Sequence, residues 1–124
     1  MRVNWHTAVH PSAWVGRGVV LGEGTVVLAG AVLNADAAVG AHCIINTGAI
    51  IEHDCGVGAY THISPRATLC GTVSVGKEVH IGAGAVVRNN LRICSYTVVG
   101  AGGVVVRDII EPGTYVGNPV RRLR

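Results

Sequence analysis

An acid–histidine–acid run, Glu52-His53-Asp54, is the stretch of this chain whose residue types most directly suggest chemistry. The ordinary pKa of imidazole lies close to neutral pH, so His53 could remove a proton from an incoming amine or hydroxyl. A carboxylate beside it, from Glu52 or Asp54, would orient the ring and stabilise its charged form. The same three residues could instead form a solvated polar corner, so the interpretation depends on the elements that hold them.

Those elements follow from a six-residue repeat. Every sixth residue from Val3 to Val105 is Val, Leu or Ile, eighteen times in succession. A period this short lets each repeat bury its apolar residue only by stacking on its neighbours, which predicts a solenoid. With three units to a turn, residues 1–110 form a β-helix of about six triangular coils, roughly 29 Å tall at a strand spacing of about 4.8 Å. Residues eighteen apart then lie above one another. Residues 111–124, which contain Pro112 and Pro119, are predicted to leave this prism as a C-terminal tail.

The composition narrows the class of function. The 124 residues fit one domain, and 49% of them are hydrophobic without a single Phe, which suits a narrow β interior. The net charge of +3 favours an anionic small molecule over nucleic acid, since no aromatic residues alternate with the basic ones. The four cysteines lack zinc spacing, and no signal peptide or membrane-length apolar run is present. We therefore expect reduced thiols and a cytoplasmic protein. Many of the 18 glycines directly follow the repeated aliphatic residue, where a corner would need positive φ or room.

Two segments carry a family resemblance beyond the repeat itself. Residues 104–109, followed by Tyr115-Val116-Gly117-Asn118-Pro119, look like the C-terminal signature of the hexapeptide-repeat acyltransferases, whose fold is an all-β, left-handed parallel β-helix. The stretch from Ile45 to Cys55, continuing to His62-Ile63-Ser64-Pro65, resembles a group of bacterial sugar acetyltransferases. That group includes the sialic-acid O-acetyltransferases and the UDP-amino-sugar N-acetyltransferases of bacillosamine-type pathways. Its members usually carry an N-terminal α/β domain that holds the nucleotide part of the sugar, and these 124 residues contain no counterpart of it.

The resemblance implies transfer of an acetyl group from acetyl-CoA to an amine or hydroxyl of a sugar or sugar nucleotide, by direct attack in a ternary complex. It implies that His53 is the general base and Asp54 its partner, with Glu52 the second choice. Gly71 lies eighteen residues after His53, so its N–H is expected one coil higher, where an oxyanion donor is needed. Asn46 matches a position near the acetyl acceptor.

The donor half of the site is also assigned by resemblance. His62 matches a position at the thioester of acetyl-CoA, and His80, eighteen residues later, is expected to stack on it. Ala83 and Ala101 lie at equivalent corners among glycines and are expected to contact the pantetheine arm through their main chain. Arg121, with Arg122 as a further candidate, would bind the nucleotide phosphates, because the guanidinium fork matches phosphate oxygens.

A single prism has convex edges, whereas a reaction with two substrates needs a concave site. We therefore expect a homotrimer with its sites between adjacent prisms, in agreement with the family. Cys43 and Cys55 occupy inward positions, so no covalent thiol nucleophile is expected, and neither a metal nor a membrane or nucleic-acid partner is expected.

Three alternatives stay open from the sequence. The first is a metalloenzyme like the γ-type carbonic anhydrases, although no two histidines have the required spacing of five residues. The second is a structural or surface-binding solenoid, although Thr is scattered instead of forming a flat ice-binding row. The third is a catalytic domain that belongs to a longer protein or works with a separate sugar-binding chain.

Overall fold

The structure is a computed structural model, and it describes residues 5–124. Within that range the chain consists of short β-strands and turns, with no helix and hence none that could cross a membrane. The strands are β1 (Ala8–Val9), β2 (Trp14–Val15), β3 (Val20–Leu21), β4 (Val26–Val27), β5 (Val32–Leu33), β6 (Ala38–Val39), β7 (Ile44–Ile45), β8 (Ile50–Ile51), β9 (Gly56–Val57), β10 (His62–Ile63), β11 (Thr68–Leu69), β12 (Ser74–Val75), β13 (His80–Ile81), β14 (Val86–Val87), β15 (Arg92–Ile93), β16 (Thr97–Val99), β17 (Val104–Val105), β18 (Gly113–Gly117) and β19 (Val120–Arg122).

These strands stack into three sheets that form the faces of a triangular tube. Face A has the order β1-β4-β7-β10-β13-β16-β18-β19, face B the order β17-β14-β11-β8-β5-β2, and face C the order β15-β12-β9-β6-β3. From β1 to β17 the pairing is parallel and in a register of eighteen, as in His62 opposite His80. The chain is a left-handed parallel β-helix of about six turns, which confirms the coils predicted from the repeat and the fold implied by the family resemblance. We name the turns between faces corner AB, corner BC and corner CA.

The repeated aliphatic residues fill the tube. Leu33, Ile51 and Leu69 stack on face B and are fully buried. Burying one such side chain contributes about 1.5–3 kcal/mol, and here it is the turns above and below that bury it. Val9 and Val15, in the first turn, remain 43% and 38% exposed because only one side of them is covered.

The corners explain the glycine content. The third residue of a corner adopts the left-handed conformation, with φ of 60° at Asp54 and 66° at Gly48. Glycine, Asp and Asn adopt this conformation most easily. Glycines that directly follow the aliphatic residue do not have positive φ. At Gly58, for example, a Cβ would lie 2.5 Å from the carbonyl carbon of Gly76 in the next turn. Of the two reasons expected for these glycines, room is therefore the correct one.

Residues 111–124, the C-terminal tail, follow the repeat but fold against the end of the tube. Strand β18 pairs in parallel with β16 and continues face A, with Thr97 opposite Gly113. Strand β19 then returns antiparallel to β18, with Val116 opposite Arg121. The reason is that β16 would otherwise present unpaired main-chain groups at the end of face A, and the hairpin satisfies them.

Candidate active site

Corner BC of the third turn holds the acid–histidine pair. The His53 Nδ1–H donates a hydrogen bond to Asp54 Oδ2 at 3.0 Å, and more than half of each side chain is exposed. The left-handed conformation of Asp54 lets consecutive side chains at 53 and 54 meet in this way. With Nδ1 acting as donor, Nε2 of a neutral ring carries the free lone pair. The geometry therefore leaves His53 able to accept a proton at Nε2.

Gly71 lies against this ring, one turn higher at the same corner. A Cβ on Gly71 would lie 2.6 Å from His53 Nε2 and 2.8 Å from Cε1, so a side chain there would displace the imidazole. Among residues 5–124 the Gly71 N–H has no hydrogen-bond acceptor, whereas its carbonyl accepts from the Asn90 N–H at 3.0 Å. An open amide and a free imidazole nitrogen thus occupy adjacent turns of one corner.

Glu52 belongs to a different contact. Its Oε2 accepts a hydrogen bond from Asn34 Nδ2 at 2.7 Å, one turn below on the face B side of the corner. Asp54, on the other side of His53, is the carboxylate that binds the ring. Of the two carboxylates that the sequence offered, Asp54 contacts His53, and Glu52 is held by Asn34 instead. Sequence analysis did not single out Asn34, although it lies eighteen residues before Glu52.

A second polar cluster lies on face A. Asn46 Nδ2 donates to His62 Nε2 at 3.0 Å, and the Thr47 N–H donates to Asn46 Oδ1 at 2.8 Å, which fixes the amide in this orientation. His62 and His80 stack as expected, with ring centroids 4.8 Å apart and planes 15° from parallel. Ser64 Oγ lies 2.8 Å from His80 Nε2, a contact that sequence analysis missed. Each imidazole is thus held by a polar residue of corner AB.

The surroundings of His62 favour the neutral form of its ring. Partial burial lowers its pKa, and the charge of His80 in the stack lowers it further. Because Nε2 accepts from Asn46, the proton of the neutral ring sits on Nδ1. His62 is therefore suited to donate a hydrogen bond from Nδ1 at neutral pH.

The proposed donor column follows corner AB upwards. Ala83 and Ala101 are exposed there one turn apart, and Gly102 N–H donates to Ala83 O at 2.8 Å. The hairpin β18–β19 packs beside the last turn of this corner, where Val120 Cγ1 would lie 3.0 Å from a Cβ on Gly103. Arg121 therefore lies at the same end of the tube as Ala101.

The two candidate arginines differ in what they bind. Arg122 donates to Glu111 Oε2 at 3.2 Å and to Pro112 O at 2.9 Å, so its guanidinium ties the hairpin together. Arg121 makes no ion pair with any of residues 5–124 and is exposed. Of the pair, Arg121 is the one whose charge is available to a ligand.

The two polar clusters lie on opposite sides of one tube. Corner BC, with His53, Asp54 and Gly71, is the vertex opposite face A, which carries His62. Asn46 lies with His62, not with His53. The predicted site residues therefore form two separate groups, and within one chain the two groups are not in contact.

The remaining reactive groups are less accessible. Cys43 and Cys55 are buried in the tube, and burial raises the pKa of both thiols, as expected for inward residues. All four cysteines are free. Nowhere in the described range do three or more His, Cys, Asp or Glu side chains form a group that could hold a metal ion.

The triangular coil, the six-residue repeat and the corner carrying His53 define the class of protein: the chain has the left-handed β-helix of the hexapeptide-repeat acetyltransferases. No protein-family model matches the sequence, and no curated protein sequence matches it. Solved structures do. The acetyltransferase domain of PglB from Neisseria gonorrhoeae FA1090 is 39% identical, with a TM-score of 0.95, over 97% of this chain and 58% of that chain.

A second similar structure is PerB from Caulobacter crescentus, solved with CoA and GDP-perosamine. It is 46% identical, with a TM-score of 0.94, over 96% of this chain and 57% of that chain. A variant of AntD, an N-acyltransferase from Bacillus cereus, is 16% identical with a TM-score of 0.89 and shows the fold alone. The chain thus spans somewhat more than half of the length of PglB and PerB, and it is similar to sugar N-acetyltransferases within that part.

Proposed function

We propose that this β-helix catalyses acetyl transfer from acetyl-CoA to the amino group of a nucleotide-linked amino sugar. The observation that carries the proposal is the pair His53–Asp54 placed against Gly71, with Nε2 and the Gly71 N–H both free of protein partners in the described range. The similarity to PerB and to the PglB domain supports the substrate class. An amine is favoured over a hydroxyl because PerB was solved with an amino-sugar nucleotide.

The chemistry follows from these atoms. The neutral amine attacks the thioester carbonyl while His53 Nε2 takes its proton, and Asp54 stabilises the resulting imidazolium. The developing oxyanion is held by the Gly71 N–H. The carbon–sulfur bond then breaks, and the proton on Nε2 passes to the departing thiolate of CoA. No covalent acetyl-enzyme is needed, and neither Cys43 nor Cys55 takes part.

Donor binding is proposed for the face A side. His62 would donate from Nδ1 to the acetyl thioester, Ala83 and Ala101 would offer their main chain to the pantetheine arm, and Arg121 would bind the phosphates. Asn46 would fix His62 and stand at the acceptor side. Because these residues lie across the tube from His53, one complete site requires two copies of the chain.

We therefore propose a homotrimer in which His53 of one copy faces His62 of the next. Face B, which joins corner AB to corner BC, supports this arrangement, because the column of its outward positions is apolar except at one strand: Trp14, Val32, Ile50, Thr68, Val86 and Val104. Burying this column between copies would bring the two corners of neighbouring chains together.

The proteins that this chain resembles are longer, since it covers 58% of the PglB domain and 57% of PerB. We propose that a further domain or a separate chain holds the nucleotide of the sugar, which is the third alternative left by the sequence. A cytoplasmic location is proposed because acetyl-CoA and sugar nucleotides are used there and because all four thiols are free.

The test is a transfer assay with acetyl-CoA and two amino-sugar nucleotides, GDP-perosamine and dTDP-4-amino-4,6-dideoxyglucose, read by release of free thiol. The wild type should acetylate at least one, and His53→Asn should lower kcat about 10²–10⁴-fold, the usual contribution of a general base. His42→Asn, at corner CA, is the matched control and should keep full activity. Full activity of His53→Asn would remove the proposed base.

The shared site has its own test, which mixes two inactive variants. His53→Ala and His62→Ala, unfolded and refolded together, should regain about a quarter of the wild-type rate, because random trimers leave that share of interfaces with both histidines. Each variant refolded alone should stay inactive. A mixture no more active than its components would contradict a site built between copies.

A further inference from the structure

Gly56 is a glycine that the fold itself does not need. Every other glycine in residues 5–124 either has positive φ or packs so closely that a Cβ would lie within 3.0 Å of a neighbouring atom, with the examples of Gly84 at φ 67° and Gly71 against His53. Gly56 has neither property: its φ is not positive, and a Cβ on it would meet nothing within 4 Å. It also lies in strand β9, where glycine costs stability and often marks close approach of a ligand.

The open space above Gly56 is part of a groove on face C, which we call the face-C groove. It has a volume of about 500 Å³. Its floor is formed by the outward positions of three paired strands, Ala38, Gly56 and Ser74, which are all small. Val20, the next outward residue below this floor, is larger and does not line the groove, whereas Arg92, the next one above, lines its upper end.

The rim of the groove is polar. Asp36, Asp54, Thr72 and Asn90, one from each successive turn of corner BC, stand along its edge. Carboxylates, a hydroxyl and an amide are the groups that hydrogen-bond sugar hydroxyls, and two exposed carboxylates attract a protonated amine. Arg92, which also lines the groove, adds a positive charge at its upper end. A rim of hydrogen-bonding groups of both signs around a small-residue floor suits a sugar ring, so the occupant that it indicates is the sugar of the acceptor.

The groove also meets the catalytic pair. Asp54 is both a rim residue and the acceptor of the His53 Nδ1–H. A ring lying on Gly56 would thus border the Asp54 carboxylate, which joins the groove to the corner that carries the base.

We propose that the face-C groove is the acceptor-sugar subsite and that Gly56 determines which sugars fit, by letting the ring lie on the main chain of β9. Asp36 and Thr72 hydrogen-bond the ring hydroxyls on either side. This inference rests on the proposed acetyltransferase function and names the part of the site that selects its acceptor.

The experiment compares wild type, Gly56→Ala and Gly56→Val in the thiol-release assay with GDP-perosamine and dTDP-4-amino-4,6-dideoxyglucose. The acceptor KM should rise about threefold in Gly56→Ala and tenfold or more in Gly56→Val, as each added carbon takes space from the ring. The KM for acetyl-CoA should stay within about twofold, because the donor lies elsewhere. The thermal midpoint of both variants should equal or exceed that of wild type, since a strand residue replaces a glycine.

Ala8→Val is the matched control, because it enlarges an exposed outward strand position outside the groove. It should change neither KM. An acceptor KM unchanged in Gly56→Val, with wild-type turnover present, would overturn the subsite while leaving the proposed function intact. If wild type neither turns over nor binds either sugar nucleotide by calorimetry, the proposed function fails and the subsite with it. A change of molar mass in Gly56→Val would show that the groove is a contact between copies, which also overturns the inference.

Discussion

Substituting Gly71 with alanine tests how the two adjacent turns of corner BC cooperate. The added methyl would lie 2.6 Å from His53 Nε2, and ordinary contact begins at 3.4 Å, so the ring must retreat by about 0.8 Å (3.4 − 2.6). The main chain is not strained by the change, because φ at Gly71 is not positive. Displacing a catalytic group by about 1 Å costs about 100-fold in rate. We expect Gly71→Ala to lower kcat about 100-fold while the thermal midpoint stays near that of wild type.

Steady-state thiol release with saturating acetyl-CoA measures this loss, and a double-mutant cycle with His53→Ala assigns its cause. If the methyl acts by moving the imidazole, Gly71→Ala should reduce the residual activity of His53→Ala by less than about threefold. A second large loss in that background would instead indicate that the methyl shields the Gly71 N–H. Wild-type activity of the single variant Gly71→Ala would refute the reasoning from the contact distances.

Three further predictions concern charges. Asp54→Asn should lower kcat about 10- to 100-fold, whereas Glu52→Gln should change kcat less than about twofold, because only Asp54 is hydrogen-bonded to the ring of His53. Equal losses in both variants would contradict the assignment. The pKa of His62 is lowered in the folded chain, so below pH 6.5, the ordinary pKa of histidine, the unfolded chain binds a proton more readily than the folded chain does. The urea midpoint should therefore fall between pH 7.5 and pH 5, and fall less in His62→Gln; an equal fall in both proteins counts against this cause. Arg121→Ala should raise the KM for acetyl-CoA about threefold to fivefold with unchanged stability, whereas Arg122→Ala should lower the thermal midpoint through the hairpin.

The repeat predicted the vertical neighbours of β1 to β17 correctly, because a period of six with three units to a turn leaves one register. Where the repeat ends, β16 and β18 pair sixteen residues apart instead. The stacking of His62 on His80 and the position of Gly71 over His53 both follow from adding eighteen. Contacts between side chains at the same corner were not predictable in the same way. That Glu52 turns to Asn34 and Asp54 to His53 depends on side-chain direction at a corner, which the left-handed conformation of Asp54 sets.

The end of the chain and the groove escaped sequence analysis for different reasons. Pro112 and Pro119 mark the end of the repeat, which gives no register for the tail, yet the segment between them pairs with the free edge of face A. Gly56 was not singled out in the sequence, where it is one of 18 glycines. Only the coordinates show that it lies on a strand and that a Cβ there would touch nothing.

Because the turns stack at a fixed interval, an insertion shifts the upper turns by a defined height and by a defined number of faces. Inserting six residues between Thr72 and Val79 would turn everything above by one face, so that His80 would leave His62 and Ala101 would move to another edge. Inserting eighteen would keep every direction and only raise the upper part by one strand spacing, about 4.8 Å. The distance from His53 to the column of Ala83 and Ala101 can therefore lengthen in whole turns without altering orientation, which offers a route by which such tubes could come to accept acyl donors of different length.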